Sequence, residues 1–153
     1  MPIAPPVLRI AIIGIAAAVL AGGHATAQPL RIDEGQRSRR VHAGETRRIA
    51  YFWGLNPDCS VQRGFNVRVE RKPRHGEVWL EKTTEQVDPR WAERAGTRRA
   101  SRNASQCLGV EVPVIAVFYR AKAGYAGPDD LLVIKTTPSG LAEIRREFQL
   151  SVE

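Results

Sequence analysis

Alternation of apolar and polar side chains with a period of two restricts this chain more than any other feature. Phe65, Val67 and Val69 alternate with Asn66, Arg68 and Glu70, and Val78 and Leu80 alternate with Glu77, Trp79 and Glu81. Ile49, Tyr51 and Trp53 share one parity, as do Ile144, Phe148, Leu150 and Val152. Successive side chains of a strand point to opposite faces, so such runs predict strands with one dry face and one wet face. Residues 114–119 are apolar at every position, which predicts a central strand covered on both faces; 131–134 is a shorter run of the same kind. A short first strand is expected near 39–42. Turn chemistry at 43–45, 72–76, 124–129 and 138–140 separates the runs. About seven short strands punctuated in this way predict an all-β fold, an antiparallel sandwich.

Two stretches lack the alternation. Residues 28–40 are polar and are expected to form a flexible N-terminal arm ahead of a sandwich domain at 41–153. Residues 82–106 form a polar, basic insertion with Lys82, Arg90, Arg94, Arg98, Arg99 and Arg102. Within it Asp88 can cap a helix, Pro89 suits the first helical position and Gly96 can end it. One short surface helix is expected there, with the remainder mobile, because long loops in compact domains are commonly functional or disordered.

Residues 1–27 read as a secretory signal peptide. Arg9 is followed by an apolar run, Gly22-Gly23-His24 and the small triplet Ala25-Thr26-Ala27. The run is about 14 residues, short of the roughly 20 that a membrane span needs, so cleavage is favoured over an uncleaved anchor. A periplasmic or extracellular location is then expected, with no transmembrane segment after cleavage. In that setting Cys59 and Cys107, the only two cysteines, are expected to form a disulfide. Closing so long a loop stabilises a fold by roughly 4 kcal/mol in the chain-entropy account. A metal or redox pair would want Cys-x-x-Cys or nearby histidines, which the sequence lacks.

The formal net charge is +7. A basic balance suits anionic partners, although arginine-rich surfaces also serve solubility. Export takes nucleic acid out of reach, and Trp91 is the only aromatic residue in the basic insertion, so no nucleic-acid partner is expected.

Pro73-Arg74-His75-Gly76-Glu77-Val78, then Tyr119, then Gly124-Tyr125-Ala126-Gly127-Pro128-Asp129 resembles the turn signature of bacterial Ig-like or cadherin-like domains. The likeness spans about 41–152, and the copy here is single. It implies an Ig-like sandwich in which Pro73, His75, Gly76, Gly124, Gly127 and Asp129 are structural turn residues rather than a reaction centre.

Catalytic signatures are missing: there is no Gly-x-Ser-x-Gly and no His-Glu-x-x-His. A calcium site at Asp129 and Asp130 would need six to eight oxygen ligands. Asn103-Ala104-Ser105 matches a glycosylation sequon, and Trp53 and Trp79 read as packing residues. No catalytic residue, metal or cofactor is therefore expected. The reading is an exported, non-catalytic envelope domain, binding or structural, whose partner is a protein or an anionic envelope polymer. Its candidate anion-binding residues are Arg94, Arg98, Arg99 and Arg102. The alternative is a small exported hydrolase, or an inhibitor of an exported enzyme.

Overall fold

The computed structural model describes residues 28–95 and 97–153. The expected signal peptide and Gly96 lie outside them. Among the described residues seven strands form two sheets. Strands β1 (Leu30–Val41), β7 (Ala142–Val152), β6 (Gly127–Thr136) and β3 (Asn66–Arg71) lie side by side in one. Strands β2 (Thr46–Phe52), β5 (Glu111–Ala121) and β4 (Gly76–Gln86) make the other. Two helices, α1 (Pro89–Glu93) and α2 (Arg98–Gln106), connect β4 to β5. The all-β sandwich and the Cys59–Cys107 disulfide are as expected.

Strand β5 divides two hydrophobic cores. Its Val117, Tyr119 and Ala121 join Ile49, Phe52, Leu131, Val133, Phe148, Leu150 and Val152 between the sheets. Val112 and Val114 have the opposite parity and join Leu55, Val87, Trp91, Ala104 and Cys107 on the other side. The helical segment thus forms a third layer over the outer face of the three-stranded sheet. Trp91 of α1 is 1% exposed there, with its ring centroid 5.1 Å from that of Tyr51 and 5.0 Å from that of Trp53.

This layer corrects the expectation of a mobile insertion with one surface helix. Residues 82–86 continue β4 and pair with 111–115 of β5. Asp88 caps α1, its carboxylate accepting from the Arg90 amide at 2.7 Å, with Pro89 behind it. Thr97 caps α2 through its hydroxyl, which accepts from the Ala100 amide at 3.1 Å. Helix α2 escapes a hydrophobic-pattern reading because it buries only Asn103 and Ala104. The Asn103 side-chain amide donates to the Leu55 carbonyl at 2.7 Å inside the second core, so the sequon asparagine is engaged in packing.

The N-terminal arm is also corrected. Residues 30–41 form β1, which pairs in parallel with β7 from Leu30↔Ala142 to Val41↔Val152. The sandwich therefore begins at Leu30 and is not wholly antiparallel. Apart from Val41, which enters the inter-sheet core, backbone pairing rather than side-chain burial holds this polar edge strand, and charged side chains are the usual defence of an exposed edge.

A register shift in β2 between Arg48 and Ala50 corrects a third expectation. An extra residue in one strand reverses the facing of every residue beyond it. Ile49 and Phe52 therefore enter the first core, while Tyr51 and Trp53 pack on the second. Strand β6 explains the continuous run at 131–134. Leu131 and Val133 face the inter-sheet core, and Leu132 and Ile134 are buried on the opposite face. There the register sets Arg71 and Arg68 beside them, and the stems of those arginines shield apolar surface.

The disulfide joins the β2–β3 connection at Cys59 to the C-cap of α2 at Cys107, with Cα atoms 5.5 Å apart. It fastens the helical layer to the sandwich. Replacing both cysteines by serine should lower unfolding free energy by about 2–4 kcal/mol in a denaturant titration. Amide exchange should quicken first in α1 and α2, with β5 to β7 staying protected; uniform loss across the sandwich would contradict this placement.

Candidate anion-binding cleft

The motif residues converge on one carboxylate. Asp129, 6% exposed, accepts from the backbone amides of Arg74 and His75, each at 2.9 Å. It also accepts from the Tyr119 hydroxyl and the Asp130 amide, each at 3.0 Å. It thus holds the distant 73–76 turn as well as its own. Burial first, then the bond to Asp129, holds the Tyr119 phenol above its ordinary pKa. A Cβ on Gly76 would collide with the Tyr119 ring, and Gly127 sits at φ +136°, so both positions need glycine. Gly124, at φ +75°, lets the same turn curl back. The His75 ring stacks on Tyr125 at 4.0 Å with 6° between planes, and Tyr125 donates to the Pro128 carbonyl at 2.6 Å. Asp130 pairs with Arg71 at 2.6 Å. Every oxygen of Asp129 is committed to donors, so the pair fits a turn clamp and leaves little for a cation.

The arginines gather elsewhere. A cleft of about 470 Å³ opens where the edges of β1 and β2 approach α1. Arg37 and Arg39 reach it from β1, Arg48 from β2, Arg94 from the end of α1 and Arg146 from β7, and among the described residues no carboxylate lines it. Tyr51, Trp53 and Trp91 form its aromatic wall. Two of the cations are neutralised close by: Arg146 pairs with Glu34, its Nε at 2.9 Å, and Arg48 pairs with Glu85. Arg146 also lies 4.7 Å over the Phe52 ring. Arg37, Arg39 and Arg94 form no salt bridge among the described residues.

Arg39 is fixed in place. Its Nε donates to the Ile49 carbonyl at 3.1 Å and a terminal nitrogen donates to the Ser38 carbonyl at 2.8 Å. Burial, then the like charges of Arg94, Arg37, Arg146 and Arg47, pull its pKa below the ordinary arginine value. Like charges held together, three of them without a salt-bridge partner among the described residues, favour an arriving anion, and guanidinium forks match carboxylate and phosphate oxygens.

Of the four arginines expected from the sequence, only Arg94 lines this cleft. Arg98 and Arg102 border a separate shallow recess with Ala92 and Ala95, and Arg99 is exposed on α2. Reading the sequence overlooks Arg146. The signal that could find it is parity: Arg146 shares the alternation of Ile144 and Phe148, where an apolar residue is due. Lys135 breaks the same rule behind Leu131 and Val133. Its ammonium donates to the Trp53 carbonyl and lies 4.9 Å over the Phe65 ring.

The sequence matches no protein-family model and no curated protein. Among solved structures the chain is similar to the solution structure of Amebosin, at 14% identity over 82% of this chain and 98% of that one, with a TM-score of 0.38. It is also similar to PbICP-C, solved in complex with falcipain-2, at 12% identity over 86% of this chain and 95% of that one, with a TM-score of 0.34. Likenesses this distant carry no argument about function.

Two measurements test this description. Burial lowers the Lys135 pKa from 10.5 to about 8, so the unfolded chain binds the extra proton between those values. Stability should rise as pH climbs from about 8 toward 10, and Lys135→Met should flatten that rise in denaturation midpoints. Asp129→Ala should cost about 3 kcal/mol, because it strands the Tyr119 hydroxyl and the turn amides without an acceptor.

Proposed function

We propose that the chain is an exported, non-catalytic domain of the cell envelope, on an Ig-like or cadherin-like scaffold, that binds an anionic partner through the arginine cleft. One observation carries this reading: five arginines converge on a recess without a carboxylate, and three of them form no salt bridge, among the described residues. Structural arginines are normally neutralised, so a group held unpaired in a concavity suits a ligand that brings the negative charge. The disulfide supports export, because such bonds persist in oxidising compartments. Among the described residues no helix is long and apolar enough to cross a membrane. The Asp129 clamp supports the Ig-like reading of the turn signature and a structural role for His75.

Charge reversal separates the cleft from the rest of the basic surface. Arg37→Glu with Arg94→Glu should weaken binding to an anionic matrix, such as phosphocellulose, by on the order of tenfold or more. Added salt should elute the wild-type protein, since screened charges lose their attraction. Reversal of Arg98, Arg99 and Arg102 together should change retention far less. Equal loss in both variants would make the interaction one of general surface charge, and salt-insensitive retention would overturn the reading.

A further inference from the structure

We propose that the cleft is one end of a longer track that a linear acidic glycan occupies across the β1 edge and onto the outer face of the four-stranded sheet. The proposal rests on the anion-binding role of the cleft and extends it to a ligand class. A second groove, of about 1420 Å³, lies over that outer face and is bordered by Arg39, Arg40, Arg47, Arg74 and Tyr125, with Gln149 and Ser151 on its floor. Arg39 borders both the cleft and the groove. The groove does contain carboxylates. Asp130 and Glu147 are both engaged by Arg71, Asp129 is consumed by the turn clamp, and Arg40 is paired with Glu153. Arg47 and Arg74 form no salt bridge among the described residues, so the unneutralised cations continue from Arg37 and Arg94 through Arg39 to these two. The like charges acting on Arg39 come from both sides: Arg94, Arg37 and Arg146 from the cleft, and Arg47 from the groove.

Two further features select a sugar chain. Each recess offers a half-buried aromatic ring beside its arginines: Tyr51 and Trp53 in the cleft, and Tyr125 in the groove, held flat by its stack on His75. Such rings present an apolar face that suits the C–H face of a pyranose, while neighbouring guanidinium forks suit a carboxylate on the same sugar. The track is also preorganised. Arg39 is tied to the Ile49 carbonyl and Arg47 to the Arg40 carbonyl, so the two strand edges hold the junction in place.

The test uses the oxidised protein and oligogalacturonates of graded length, measured by calorimetry. Affinity should climb about a hundredfold from the shortest oligomer to one that spans both recesses and then level off, because the second engagement is intramolecular. Arg74→Glu should remove most of the climb and leave short-oligomer binding in place. Arg37→Glu with Arg94→Glu should abolish short-oligomer binding. Arg39 and Arg47 are left intact because both join the two edge strands. Length-independent affinity in the wild-type protein would overturn the track while leaving the cleft reading standing. Equal affinity for polyglutamate of matched charge would overturn the glycan assignment in favour of an acidic peptide. Binding to no oligomer, with phosphocellulose retention preserved, would overturn this proposal alone; loss of that retention as well would remove the cleft reading too.

Discussion

Strand β5 must be buried on both faces, and the rest of the molecule is arranged to meet that demand. A three-stranded sheet with an apolar strand at its centre cannot leave either face in water. The four-stranded sheet covers Val117, Tyr119 and Ala121, while the helical segment, anchored by Trp91 and the disulfide, covers Val112 and Val114. What looks like an interruption of the β-pattern is the missing cover of its central strand. The third layer also sets the position of Arg94, since α1 is held by the burial of Trp91 within one turn of it.

The parts legible in the sequence are those where burial and alternation coincide. Strands β3, β5, β6 and β7 can be read directly from Val67, from the run ending at Tyr119, from Leu131 to Ile134 and from Phe148 to Val152. Strand β1 is legible only at its end, near 39–42, because most of its length is held by backbone pairing to β7, which leaves no apolar trace in Arg31, Gln36 or Arg40. Helix α2 is illegible for a similar reason: its contribution to the core is one alanine and one asparagine. The β2 bulge is hidden because an inserted residue preserves composition while reversing which face Tyr51 and Trp53 occupy.

The candidate site shows the same division. Arg37, Arg39, Arg48 and Arg94 are visible as basic residues, yet nothing local says that they meet, since the meeting depends on β1 being a strand and α1 being docked. Arg146 and Lys135 are the more telling pair. Both occupy inward positions on otherwise apolar faces of their strands, and both lie at the end of the sandwich where Glu34 also points inward. One end of the inter-sheet space is therefore apolar and the other is charged. A sandwich that tolerates charge at one end gives up part of its core there and gains a place where cations are held rigidly.

The pairing of β1 with β7 has a consequence for how the chain acquires its structure. Among the described residues the first strand takes its hydrogen bonds from the last, from Leu30↔Ala142 to Val41↔Val152. Contacts between residues so far apart in sequence are slow to form because loop closure precedes any gain. Strand β1 therefore has no pairing partner until β7 has been synthesised. The four-stranded sheet is thus completed by β1 and β7 together, after the strands between them in sequence have been made.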